Sequence, residues 1–283
     1  MIGLASLGSG SRGNGTLVRF GRTLLLIDCG FTVKQAEARL ARLGVRPGEI
    51  SAVLVTHEHA DHASGVPAFA HKYAIPVHAS YGTLSSRQYS LTGQPFDGDV
   101  PFLIDDVTVN PVRVPHDARE PTQFVLSQGA IKIGVLSDLG CVTPHVVEQY
   151  SGTDLLMLEA NHDVGQLDGG RYPPTLKRRI RSDLGHLSNH QSAELLDALA
   201  HARLDVVIGH VSEENNGRAQ LDHVFAPFQE RVRTMQVATQ STGMPWIMLS
   251  GEAPQSVEGK SVEGKSVEGK SVEGQPAATA FAF

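Results

Sequence analysis

The stretch Thr56-His57-Glu58-His59-Ala60-Asp61-His62 places three histidines and one aspartate within six positions. It directly follows the run Ala52-Val53-Leu54-Val55, which is short and apolar, as expected of a strand buried on both faces. Imidazole nitrogens suit zinc, and a carboxylate oxygen is also acceptable to manganese or iron. The sequence therefore predicts a metal site in the loop at the carboxyl end of a buried strand.

The spacing of these four donors indicates two metal centres. In an extended segment, His57 and His59 project to the same side of the chain. A turn over Ala60 would aim Asp61 and His62 at a neighbouring point. The alternative is a solvated loop that is rich in histidine by chance and binds no metal.

Composition limits the class of protein. The chain has 283 residues, of which 41% are hydrophobic, which is enough for one large domain or for a domain with a tail. No apolar segment with a basic flank stands near Met1, so a secreted or membrane-spanning product is not expected. Cys29 and Cys141 are too few for a disulfide framework, which predicts a reduced, cytoplasmic protein. With a net charge of -6, nucleic-acid binding would depend on a local basic patch and on the metals.

The motif His57-x-His59-x-Asp61-His62 after a strand resembles the hallmark of the metallo-β-lactamase superfamily. That resemblance implies an α/β (α+β) fold, an αββα sandwich that holds two divalent metal ions, zinc above manganese or iron, and an activated hydroxide. In Asp28-Cys29-Gly30, Asp28 matches the first motif of the family and is expected to support the metal loop by hydrogen bonding without ligating. His116, at the end of the predicted strand 107–114, matches the third motif and completes a three-histidine centre with His57 and His59.

Two further ligands are expected at strand ends. Asp138, after the predicted strand 131–136, matches the fourth motif, the carboxylate that lies between the two metals in the family. His210 and His186 compete for the last ligand position, beside Asp61 and His62. We favour His210 because it follows a predicted strand, as the other ligands do, whereas His186 precedes a helix.

Glu159-Ala160 at a strand end and Gly185-His186-Leu187-Ser188 before a helix resemble the paired motifs of the tRNase Z nucleases. The resemblance implies that Glu159 orients His186 and that His186 delivers a proton to the leaving oxygen. Asp61, Glu159 and His186 are thus the expected catalytic residues. The alternative is that the strand-end carboxylate and the histidine are structural.

The segment from Gly170 to Arg181 carries five positive charges and no negative one. Its Pro173-Pro174 pair predicts a rigid loop before any helix. We interpret the segment as a clamp for a phosphate backbone, since arginine matches phosphate geometry. A solvated basic face is the alternative. The predicted substrate-binding residues are Arg171, Lys177, Arg178, Arg179, Arg181, Ser188 and Asn189.

Taken together, the motifs from Gly8 to Asn216 resemble the WalJ/YycJ-type branch of the superfamily most closely. The resemblance implies a cytoplasmic nuclease, a 5′ to 3′ exonuclease for DNA, with RNA as the alternative nucleic acid and no membrane partner. Two other functions stay open: hydrolysis of a small ester, thioester or lactone, and metal-dependent binding without turnover. The sequence does not decide between a monomer and a homodimer.

Residues 1–252 are predicted to form the hydrolase domain, and residues 253–283 a disordered low-complexity tail with four Ser-Val-Glu-Gly units. Beyond the strands already named, a hairpin is expected over 16–20 and 23–27, and further strands over 75–78, 154–158, 206–209, 235–239 and 246–249. Helices are expected over 33–43 with Thr32 as the cap, 65–73, 191–202 with Ser188 as the cap, and 218–231.

Overall fold

The computed structural model describes residues 1–249 and contains two seven-stranded sheets. The predicted tail, residues 253–283, lies outside the described residues, and the domain division stays a prediction. The strands of the first sheet are β1 (Ile2–Gly8), β2 (Gly15–Phe20), β3 (Thr23–Ile27), β4 (Ala52–Val55), β5 (Val77–Ser80), β6 (Gln94–Phe96) and β14 (Met244–Leu249). They lie in the order β14-β1-β2-β3-β4-β5-β6, antiparallel as far as β3 and parallel from β3 to β6.

The second sheet has the same division into a parallel and an antiparallel half. Its strands are β7 (Phe102–Ile104), β8 (Val107–Arg113), β9 (Thr122–Gln128), β10 (Ile131–Leu136), β11 (Leu155–Glu159), β12 (Asp205–Gly209) and β13 (Thr234–Val237). Their order is β13-β12-β11-β10-β9-β8-β7, with parallel pairs from β13 to β10 and antiparallel pairs from β10 to β7.

Nine α-helices lie within residues 1–249. They are α1 (Val33–Arg42), α2 (Ala60–Ala63), α3 (Val66–Tyr73), α4 (Tyr81–Leu84), α5 (Pro144–Tyr150), α6 (Val164–Gly169), α7 (Pro174–Ile180), α8 (Asn189–Leu199) and α9 (Arg218–Phe225). None of the helices in this part of the chain is long and apolar enough to cross a membrane.

Three layers of apolar contact define the predicted αββα sandwich. The central layer joins the inner faces of the two sheets, with Leu54 of β4 and Met157 of β11 among its buried residues. A second layer packs the outer face of the first sheet against α1 and α3, and a third packs the second sheet against α5, α8 and α9. Because Leu54 faces the centre while Val53 and Val55 face the helices, β4 is buried on both sides, as its sequence predicts.

Most predicted elements are present, and the differences have local causes. The predicted strand 75–78 begins at Val77, because Ala74 takes a left-handed conformation (φ 52°) and the Ile75 N–H donates to Ala70 O, which closes α3. The helix predicted over 218–231 ends at Phe225 as an α-helix and continues as one 3₁₀ turn, Ala226–Phe228. The proline pair starts α7 directly, because Pro174 occupies the first helical position, where no N–H is needed.

Candidate metal centre

The predicted ligands are brought together at one edge of the sandwich, where strands from both sheets end. His57 and His59 follow β4 in the first sheet, whereas Asp138, Glu159 and His210 follow the neighbouring strands β10, β11 and β12 in the second. The carboxyl ends of adjacent parallel strands meet at the same edge of a sheet, which accounts for this convergence.

The first set of candidate ligands consists of His57, His59 and His116, each of which offers one nitrogen that lies within 4.8 Å of the other two. In each ring, the nitrogen that faces away from the other two rings makes a polar contact, which fixes the orientation of the ring. His57 Nδ1 lies 2.9 Å from Thr56 Oγ1, His116 Nδ1 donates to Gly185 O at 3.0 Å, and His59 Nε2 donates to the backbone oxygen of Asp117 at 3.2 Å. These bonds leave His57 Nε2, His116 Nε2 and His59 Nδ1 directed at one another.

The second set consists of Asp61, His62 and His210. His62 Nε2 lies 3.4 Å from Asp61 Oδ2, and His210 Nε2 lies 3.6 Å from the same oxygen. Asp28 orients this set, because its carboxylate accepts from His62 Nδ1 at 2.7 Å and from the Thr56 amide at 2.9 Å. Asp28 thus lies behind His62, in a position from which a side chain can control the orientation of that ring.

Asp138 lies between the two sets. It forms a ligand group with His57 and His62, and its Oδ2 lies 2.6 Å from His62 Nε2. Its Oδ1 lies 2.8 Å from His210 Nδ1. Asp28, Asp138 and His210 all have positive φ angles of 60°, 48° and 49°. Such a conformation costs roughly 1–3 kcal/mol for each residue, and it persists only where the surrounding structure enforces it.

The donor atoms fit a metal ion, because two of them are buried without a partner. Among residues 1–249, His57 Nε2 and His210 Nε2 are buried atoms without a hydrogen-bond partner. An unpaired buried nitrogen costs free energy, and a metal ion would offset that cost at both positions. With two carboxylates and five imidazoles, the set suits a divalent cation.

Glu159 is fully buried and contacts two histidines at once. Its Oε1 lies 2.8 Å from His186 Nδ1 and 3.0 Å from His210 Nδ1. Its Oε2 accepts from the amides of Leu139 and Leu187 at 3.2 and 3.3 Å. His186 therefore presents Nε2, and not Nδ1, as the nitrogen left free beside the ligands. His186 and His210, which competed for the last ligand position in the sequence analysis, both lie at the centre, and His186 is the more exposed of the two.

The histidines of the centre fall into two groups, those whose pKa is lowered and those whose pKa is raised. Burial and the neighbouring His62 lower the pKa of His57 well below its usual value. Burial also favours the neutral form of His62 and His210, but Asp138 and the other carboxylates raise the pKa of both rings well above the usual range. For His186, burial is likewise outweighed by Glu159 and Asp138, which raise its pKa to about 9. The two carboxylates therefore favour the protonated form of His186.

A cavity of about 350 Å³ adjoins both ligand sets. Asp61, Asp138, His186 and His210 line its floor, and Tyr172, Leu176 and Arg179 of the segment around α7 line one side.

Three groups at the site were not singled out from the sequence. Asn14 donates to Asp61 Oδ2 at 3.1 Å, Asp117 contacts His59 and Arg179, and Asn161 holds the His210 carbonyl at 3.1 Å. Each of them adjoins a stretch with a sequence signal: Asn14 ends Gly10-Ser11-Arg12-Gly13-Asn14, Asp117 follows His116, and Asn161 follows Glu159-Ala160.

The basic residues of the predicted clamp make different kinds of contact. Lys177 Nζ donates to the carbonyls of Asp168 and Gly170, both at 2.7 Å, and Arg181 pairs with Asp168. Arg179 pairs with Asp117 and lines the cavity. Arg171 and Arg178 are exposed and form no ion pair within residues 1–249.

Ser188 and Asn189, the other predicted substrate-binding residues, are both buried. The Ser188 hydroxyl caps α8 by accepting from the Gln191 amide, and the Asn189 side chain exchanges hydrogen bonds with Asn216. Both side chains are thus engaged in holding the start of α8.

An αββα sandwich with histidine and aspartate ligands at its strand ends defines a class of metal-dependent hydrolases. The family described as the β-lactamase superfamily domain matches residues 23–210. Exodeoxyribonuclease YycJ of Bacillus anthracis is 34% identical over 217 residues, which are 74% of this chain and 82% of the relative. Exodeoxyribonuclease WalJ of Streptococcus pneumoniae serotype 2 is 33% identical over 219 residues, 74% of this chain and 81% of the relative. The chain therefore belongs to the metallo-β-lactamase superfamily and, within it, to the family of the YycJ and WalJ proteins.

A solved structure supports the same fold. Zn²⁺-bound PqqB from Methylobacterium extorquens superposes with a TM-score of 0.65 at 17% identity, covering 87% of this chain and all of that one. At this identity the likeness concerns the fold alone. The family and the fold together make this protein a hydrolase that depends on divalent metal.

Proposed function

We propose that this protein is a dinuclear metal-dependent nuclease that removes nucleotides from the 5′ end of DNA. The observation that carries the proposal is the position of the Glu159–His186 pair, which shares one cavity with both ligand sets. A metal centre alone would serve many hydrolyses. A protonated histidine beside it adds the acid that a phosphodiester leaving group requires. The names of the two curated relatives, both exodeoxyribonucleases, support DNA as the substrate.

The ligand sets suggest how two ions would be held. His57, His59 and His116 would hold one ion, Asp61, His62 and His210 the other, with Asp138 between them. Two divalent ions in such a site lower the pKa of a bound water and neutralise charge on a phosphate oxygen. We propose zinc because five of these seven ligands are imidazoles. Manganese and iron are the alternatives, which elemental analysis of the purified protein distinguishes.

His186 supplies the proton in this mechanism. Glu159 accepts from His186 Nδ1 at 2.8 Å, which fixes the tautomer and the plane of the ring. The Glu159 carboxylate also favours the protonated ring, since it raises the pKa of His186. The remaining N–H, on Nε2, is then available to the leaving oxygen of the substrate. Glu159 itself is a positioning residue.

The test uses single- and double-stranded DNA and RNA, labelled at the 5′ or the 3′ end, with protein that has been reconstituted with zinc or manganese. We expect metal-dependent release of 5′ nucleotides from DNA. His59→Ala should abolish the release, and His190→Ala, which changes an exposed histidine of α8, should not. Cleavage of RNA alone would replace the proposed substrate. Hydrolysis of a small ester or thioester without cleavage of any nucleic acid would reject the nuclease.

Two further parts of the proposal concern the protein in the cell. A cytoplasmic location is proposed from the cysteine usage, and cell fractionation tests it. Size-exclusion chromatography with light scattering distinguishes a monomer from the homodimer that the sequence leaves open.

A further inference from the structure

One wall of the cavity carries an aromatic and two aliphatic side chains although it belongs to the most basic segment of the chain. Leu176 and Ile180, four residues apart, line the cavity from one face of α7, and Tyr172, which precedes the helix, lines it beside them. Tyr172 and Leu176 are half-buried, and the Tyr172 hydroxyl forms no hydrogen bond within residues 1–249. Lys177 and Arg181 point away from this side, to Asp168.

The carboxyl end of this wall is fixed to the metal centre. A Cβ at Gly185 would lie 2.2 Å from Ile180 O, so only glycine allows the backbones to approach this closely. The His186 amide donates to Ile180 O at 2.9 Å, and Gly185 O accepts from His116 Nδ1. The end of α7 is therefore attached to one ligand and to the proposed acid.

The amino end of the wall is fixed as well. The Lys177 ammonium binds two carbonyls of the turn between α6 and α7, those of Asp168 and Gly170, at 2.7 Å each. This turn leads directly into Tyr172. The backbone that carries Tyr172 and Leu176 is consequently held in place beside the cavity before any substrate arrives, which lowers the entropic cost of binding.

We propose that Tyr172 and Leu176 form the subsite for a nucleobase that flanks the scissile phosphodiester. The inference rests on the proposed nuclease function and names the part of the substrate that the cavity recognises. A nucleotide joins a flat apolar ring to a charged phosphate, and the cavity repeats this order. The aromatic and aliphatic side chains lie on α7 and its approach, Arg179 lies on the same wall with its guanidinium paired to Asp117, and the metal ligands lie on the floor.

This subsite reads no base identity. Every base has a π-face, so stacking on Tyr172 tolerates all sequences, whereas hydrogen-bonded readout would not. A base that stacks on Tyr172 gives up its stacking on the neighbouring base of the strand. This exchange costs least for an unpaired base, so single-stranded ends should be cut faster than paired ends.

The experiment measures kcat/KM for wild-type protein, Tyr172→Ala and Tyr172→Phe on single-stranded oligonucleotides. The substrates are intact, or they carry a base-free tetrahydrofuran nucleotide on the 5′ or the 3′ side of the scissile bond. Tyr172→Ala should lose roughly 5- to 150-fold on the intact strand, the equivalent of one stacked base. It should match wild type on the strand whose abasic residue occupies the subsite. Tyr172→Phe should retain wild-type rates, because its ring is kept.

Tyr81→Ala is the matched control, since Tyr81 is 60% exposed and does not line the cavity. Bound metal and melting temperature are measured for each variant to establish that the centre is intact. Equal rates for Tyr172→Ala and wild type on intact DNA would overturn the subsite. A loss of the same size on intact and on both abasic strands would overturn it too. If wild-type protein cuts no nucleic acid, the nuclease proposal fails first, which is a separate result.

Discussion

The metal centre and helix α7 both concentrate charge beside one cavity, but they hold it differently. At the centre, Asp138 and Glu159 are almost fully buried, and each of them contacts two or more histidines within 3.1 Å. On α7, Arg178 is exposed, and Lys177 and Arg181 bind groups of the turn that precedes the helix. Buried charges without their partners are costly, whereas exposed charges are screened by solvent and salt.

This difference predicts that the two regions affect different quantities, the rate of the reaction and the affinity for the substrate. A substitution at the centre removes a buried charge whose partners water cannot reach, so it should lower the rate of the reaction. A change on the outer side of α7 alters a field that salt already weakens, and it should alter affinity only. The following variants test that division, and they are ordered by the size of the effect.

Asp138→Asn should give the largest effect. The substitution keeps the shape of the side chain but removes a charge that lies 2.6 Å from His62 Nε2 and 2.8 Å from His210 Nδ1. We expect activity to fall about 1,000-fold or more, because several kcal/mol of transition-state stabilisation depend on the metal centre. Metal content should fall as well. Asp183→Asn is the matched control, since this exposed aspartate makes no side-chain hydrogen bond within residues 1–249. Full activity of Asp138→Asn would contradict the placement of Asp138 between two metals.

Glu159→Gln should have a smaller effect, because Glu159 acts through His186 and His210. Loss of a residue that orients a ligand typically costs 10- to 100-fold. The Glu159 carboxylate raises the pKa of His186, so its neutral replacement should lower that pKa. The alkaline limb of the rate profile, where the proton on His186 is lost, should therefore move to lower pH. A lower rate with an unmoved alkaline limb would assign Glu159 a purely structural role.

Removal of the metal tests the centre through stability. The unpartnered His57 Nε2 and His210 Nε2 gain a ligand bond only when metal is present. At metal concentrations of 100 to 1,000 times Kd, binding contributes about 3–4 kcal/mol, so a chelator should lower Tm by roughly 5–15 °C. Differential scanning calorimetry with and without EDTA measures this shift. An unchanged Tm would mean that the two ligand sets are stable without metal.

The sequence signals for the candidate centre are local. His57, His59, Asp61 and His62 are neighbours in the chain, and the strands before Asp138 and His210 are clear apolar runs. The left-handed backbone at Asp138 and His210 could not be predicted, since aspartate and histidine adopt it only where the surrounding fold enforces it. The competition between His186 and His210 also depended on the fold, because one carboxylate, Glu159, contacts both rings.

The partners of the basic segment were beyond sequence reasoning for a different reason. The double proline and the five cations gave no indication that Lys177 and Arg181 turn back to Asp168, because those contacts arise only when the turn between α6 and α7 is folded. The apolar side of α7 was hidden by its composition. Tyr172 and Leu176 lie among charged residues in the sequence, so the number of positive charges in the segment suggested a clamp and gave no sign of an apolar surface.

Arg178→Ala should give the smallest effect and a diagnostic one. An exposed arginine that contacts a phosphate contributes about one released counterion, so the slope of log K against log salt should fall by about one, with only a few-fold loss of affinity at moderate salt. Arg181→Ala removes the same charge from the same helix end, but this arginine is already paired with Asp168. Its salt slope should stay near that of wild type. Fluorescence anisotropy across a salt series, with protein whose His59→Ala substitution prevents cleavage, measures both slopes. Equal reductions for Arg178 and Arg181 would mean that α7 acts through its net charge, and the division between attraction and internal support within this helix would be lost.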